Sequence, residues 1–173
     1  MPYGRKTIRV AIGVGIFSLI SCGGQPSTSS VPDTAAAWID GGDFDVTLGV
    51  GESAFVTPTP GETLRLEAGS QGLQHLWVRA RASGISEGRH QVTWVLRGLE
   101  SPSDVVGGPL RLGLPLEGQA APETPWAVTL VVPDVSAAVG RSLWLGVEVR
   151  SIDGRVGRDG VTLQVSAPIP PAR

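Results

Sequence analysis

The chain has 173 residues, 41% of them hydrophobic and 17% charged, with a formal net charge of −2 and a single Cys. One domain is the natural reading at this size, since about 150 residues bury roughly 70% of their unfolded surface. One cysteine excludes a disulfide scaffold, and the lack of repeats and of long apolar runs excludes collagen, coiled coil and a multi-span membrane protein.

Taken in chain order, the first feature is a positive head, Arg5, Lys6 and Arg9, ahead of an uncharged run from Val10 to Ile20. Such a run spans about 16 Å as a helix, against a hydrocarbon core of about 30 Å. It therefore predicts a cleaved secretory signal rather than a membrane span. Next comes Leu19-Ile20-Ser21-Cys22: an aliphatic residue, a tolerant position, a small residue and Cys. This closely resembles the lipobox of bacterial lipoproteins. The resemblance implies a signal peptide over 1–21, cleavage between Ser21 and Cys22, a diacylglycerol on the Cys22 thiol and an acyl chain on the new amino group. Two or three chains, at about 0.8 kcal/mol per buried CH₂, anchor stably where one does not. Gly23 is not an inner-membrane retention residue by the sorting pattern of Gram-negative lipoproteins, which implies the outer membrane.

Loss of residues 1–21 removes three basic residues of 14 and none of the 16 acids, leaving a mature charge near −5 and no Lys. No basic stripe points to nucleic acid. The expected partner is the membrane, through the acyl chains. Residues 22–38 are rich in Gly, Ser, Thr and Pro and read as a flexible tether. Its reach is roughly 20 Å at about 5–6 Å × √n.

Residues 39–168 alternate apolar and polar positions between Gly and Pro breaks, and 169–173 form a short tail. Strands are predicted over 44–50, 54–57, 63–68, 73–83, 90–97, 110–116, 126–132, 142–152 and 160–166. In the longest, Leu76, Val78, Ala80 and Ala82 share one face while His75, Trp77, Arg79 and Arg81 share the other. Trp94, in phase with Val92 and Leu96, is the expected buried anchor. The only helix-like stretch is 135–139. The pattern predicts an all-β, antiparallel β-sandwich of the Ig-like or fibronectin-like kind, held by packing without a disulfide.

A second resemblance lies in the strands themselves. The runs Gly51-Glu52-Ser53-Ala54-Phe55, Gly61-Glu62-Thr63-Leu64 and Gly69-Ser70-Gln71-Gly72-Leu73-Gln74-His75-Leu76-Trp77-Val78 are similar to a set of uncharacterised Ig-like lipoproteins of myxobacteria. Ser70 and Leu73 stand where that pattern has Pro and Gly, and 140–159 carries a looser echo of it. An Ig-like sandwich is what the resemblance implies; it implies no activity.

For function, His75 follows a Gly-rich turn, but a metal site needs several converging ligands, and His90 and scattered carboxylates are all that could join it. Neither metal nor cofactor is expected. The acidic stretch Asp40–Asp45 lacks the EF-hand frame and its terminal Glu. The stretch Asp153–Asp159 has Arg155 and Arg158 beside its acids, a pattern of turn and surface ion pairs. Trp77 and Trp144 fall out of phase with their apolar neighbours and, with His75, form the candidate ligand face. Indoles on a sheet surface stack well against sugar rings. Gly-x-Ser-x-Gly, His-Glu-x-x-His and a phosphate loop are all absent, so no catalytic residues are assigned. The reading is a lipid-anchored envelope protein with a non-catalytic binding sandwich. Its partner is an envelope protein or, alternatively, a polysaccharide held by exposed Trp side chains.

Overall fold

Alternation puts one row of side chains from each strand between two sheets, and that row builds the core. The computed structural model describes residues 42–69, 71–101 and 103–168. The expected leader 1–21 with Ser21 and Cys22, the tether 22–38 and the tail 169–173 lie outside the described residues. Nine strands follow: β1 (Asp45–Val50), β2 (Thr63–Arg65), β3 (Glu67–Ala68), β4 (Gln74–Ser83), β5 (Gly88–Gly98), β6 (Val105–Leu116), β7 (Val128–Val132), β8 (Ser142–Arg150) and β9 (Val156–Ser166).

The smaller sheet is built on β4. β1 and β3 pair in tandem along one edge of it, Val50 opposite Val78 and Glu67 opposite His75, and β7 takes the other edge. The larger sheet runs β2-β9-β8-β5-β6. Chain crossovers between the sheets give the expected β-sandwich, and no helix occurs among the described residues. Pairing between the named strands is antiparallel except where β2 runs parallel to β9.

That exception revises one expected element. Residues 63–68 were expected as a single strand, but the chain changes sheets at Leu66, which is fully buried between the layers. Thr63–Arg65 joins β9, and Glu67–Ala68 joins β4. The expected strand 54–57 is reduced to one bridge, Val56 with Val50. The stretch 135–139 forms turns started by the Asp134 carboxylate, which accepts from the Ser136 and Ala137 amides.

Core packing follows the alternation. Val78 and Ala80 on β4, Val92, Trp94 and Leu96 on β5, Leu130 on β7, and Leu143, Leu145, Val147 and Val149 on β8 are fully buried. Trp94 is the expected anchor. Its indole N–H crosses the sandwich to the Arg79 carbonyl at 3.3 Å, which satisfies the one polar atom of a buried ring. At the edge, the Leu48 amide donates to Asp159 Oδ2 at 2.7 Å and ties β1 to β9. In the predicted strand 110–116, Leu114 and Leu116 are buried and Leu110 and Leu112 half-buried.

Candidate functional site

The outward face of β4 is closed at one end and open at the other. Toward its C-terminal end, the Arg79 guanidinium donates to the Gly51 and Glu52 carbonyls at 3.2 and 2.9 Å. Arg81 pairs with Glu123 at 2.6 Å and lies 4.1 Å above the Phe55 ring. These contacts fold the 51–55 loop over the strand. Among the described residues no guanidinium contact of this kind folds a loop over His75 and Trp77.

There the sheet carries a groove of about 400 Å³. His75 and Trp77 of β4 form its floor, Thr129 and Val131 of β7 one wall, and Glu67 of β3 the other. The β3–β4 turn closes its end with Gln71 and Leu73. That turn is set by the Gly69 amide bonding the Leu73 carbonyl at 2.7 Å and the Gly72 amide bonding the Gly69 carbonyl at 3.0 Å. Gly72 has φ +78°, a conformation open to glycine at little cost. A smaller cavity of about 240 Å³ lies beside the same Glu67 and Trp77, bounded by Val50, Gly51, Leu64 and Arg65.

Within the groove the polar atoms are held in place. Trp77 Nε1 donates to Glu67 Oε2 at 2.8 Å, and the His75 ring meets the indole edge-on with centroids 4.9 Å apart. His75 is only 8% exposed, and its Nε2 has no hydrogen-bond partner among the described residues. Gln74 Oε1 and His90 Nδ1 are in the same state. Thr129 and Gln71 are exposed, as are Leu73 at 48% and Val131 at 36%. The lining holds one carboxylate and no Lys or Arg. An apolar strip flanked by an acceptor, an amide, a hydroxyl and an imidazole is equipped to bind a polar ring.

His75 and Trp77 are therefore brought together, as expected. Trp144 is not. It projects from the outer face of the larger sheet but is 2% exposed, because its indole lies flat over Gly146 and Gly160, in space that a Cβ on either would fill. Outward phase on a strand did not mean exposure. The structure corrects Trp144 as a ligand-face residue. Among the described residues the most exposed indole is instead Trp126, at 52%, which precedes β7.

The groove walls were missed from sequence. Glu67 follows the change of sheet at Leu66, and β7 is far from β4 along the chain; only the register unites them. For metals, no group of three or more His, Cys, Asp or Glu gathers among the described residues. The His90 ring bonds the Ser86 carbonyl at 3.0 Å, at the end of the sandwich opposite His75. In the acidic stretch, Asp43 accepts the Val156 amide at 2.9 Å, while Asp40 lies outside the described residues. Asp153 pairs with Arg155 at 2.8 Å and also accepts from the Ser151 hydroxyl, which holds its carboxyl down at about 2.

No family model, curated protein or solved structure matches this chain.

Proposed function

We propose that this chain is a lipid-anchored protein of the cell envelope, in the outer membrane, whose β-sandwich binds a ligand without transforming it. The observation that carries the reading is Cys22: a lone thiol placed directly after a short apolar run and a small residue. A chain with no other cysteine has no structural use for a thiol there, whereas the lipoprotein pathway requires one.

The placement of the groove supports the same reading. Described residues begin at Gly42, where the Asp43 amide donates to the Val156 carbonyl at 2.7 Å, next to the end of β4 at Ser83. The groove lies at the start of β4, about 30 Å away at 3.3 Å per residue. A tether entering at that end would leave the groove uncovered at the other, within reach of an envelope protein or a polysaccharide. The test is labelling with radioactive palmitate in the native cells. Wild type should take up label and fractionate with membranes, and Cys22→Ala should do neither. Equal labelling of the two would overturn the anchor.

A further inference from the structure

We infer that the groove over His75 and Trp77 is a subsite for one uncharged pyranose ring of a glycan. The inference rests on the reading of this domain as an envelope binding module and names the class of its ligand.

Four observations converge on that class. The cavity, about 400 Å³, falls within the roughly 300–1,000 Å³ of small-ligand sites. Its apolar surface comes from the Trp77 indole, Leu73 and Val131, a match for the C–H face of a pyranose, which is apolar while the ring's rim is not. Its polar groups stand around that strip, where a sugar carries its hydroxyls. Glu67 Oε2 is held by the indole N–H, which leaves Oε1 to accept from a hydroxyl. Gln71 offers both a donor and an acceptor, and Thr129 offers a hydroxyl from the opposite wall.

The third observation is the His75 Nε2, buried with the rest of its ring and without a partner among the described residues. Nε2 itself has almost no accessible surface, so a sugar hydroxyl would reach it only as the His75 ring turns toward the groove, and would then donate or accept, whichever the tautomer requires. An apolar peptide side chain in the same place would leave it unpaired. The fourth is charge. One carboxylate and no Lys or Arg line the groove, so uronate, sulfate and phosphate groups meet repulsion and no cation.

The test uses the full chain in detergent. The Trp77 indole N–H resonance is followed against chitotriose, cellohexaose and maltohexaose, with trigalacturonate as the charged comparison. At least one uncharged oligosaccharide should shift that resonance saturably, and trigalacturonate should not. Glu67→Gln and Gln71→Ala, both at exposed positions, should each weaken binding by about tenfold with far-UV circular dichroism unchanged. Three results overturn the inference: no shift with any uncharged oligosaccharide to about 10 mM, a shift indifferent to both substitutions, or binding of trigalacturonate alone. Capture of an envelope protein, in place of glycan, by a photo-crosslinker at position 71 in living cells also overturns it. Palmitate labelling reports the anchor independently. A labelled chain that ignores every sugar loses the glycan and keeps the envelope reading; an unlabelled chain that binds one does the reverse.

Discussion

Trp77 on β4 and Glu67 on β3 are joined by a 2.8 Å hydrogen bond from indole to carboxylate, at the place where the edge of β4 passes from β1 to β3. β3 is two residues long and pairs through Glu67 and Ala68 alone. The bond therefore pins a very short strand and fixes one wall of the groove.

Removing its donor should loosen that strand. Trp77→Phe keeps a ring but loses the N–H, and a hydrogen bond of this kind contributes about 0.5–1.5 kcal/mol net, somewhat more when the acceptor is charged. Urea unfolding should show a loss in that range. Amide hydrogen exchange should rise at Glu67 and Ala68 while the β5–β8 ladder stays protected.

Gly146 and Gly160 leave the trough in which the Trp144 indole lies. Gly160→Val would drive methyl groups into that ring, and overpacking of this kind costs about 1–3 kcal/mol or more. Chemical denaturation of Gly160→Val, and of Gly160→Val with Trp144→Ala, checks the cause. The second substitution should recover part of the loss.

Trp94 fills the centre of the sandwich with no exposed surface. Trp94→Ala should destabilise the domain by about 3–5 kcal/mol through lost burial and the cavity left behind. It also leaves the Arg79 carbonyl without its indole donor. A shift in urea midpoint with little change in slope is the expected result.

The Asp153 carboxyl is held down at about 2 by the Ser151 hydroxyl first, then by Arg155. A carboxyl depressed in the folded state contributes stability that is present above its unfolded value, near 3.8, and is lost as pH falls toward about 2. Carbon-detected titration should place its midpoint near 2, and Ser151→Ala should move it upward. A midpoint near 3.8 in the wild type would contradict the turn geometry.

Much of this architecture was legible because half-buried strands alternate. The inward rows of β4, β5 and β8 and the central Trp94 follow directly from period two. Partner choice does not. Residues 63–68 alternate without a break, and nothing in that pattern says that Leu66 marks a change of sheet. Gly107 and Gly108 fall between the predicted strands, yet lie inside β6, as Gly157 lies inside β9. Gly157 is there because Phe44 and Val46 press against it. For the site, the floor was legible and the walls were not. His75 and Trp77 sit two apart on one strand, while Glu67, Thr129 and Val131 reach them only through register. Trp144 shows the limit of phase, since its cover comes from the missing side chains of two glycines on adjacent strands.

The most direct measurement on the central claim is mass spectrometry of the N-terminal peptide of the protein isolated from its own membranes. A peptide beginning at Cys22 and carrying a diacylglycerol plus an amide-linked acyl chain is the predicted result. An unmodified Cys22, or a mature N-terminus at any other residue, would contradict the account.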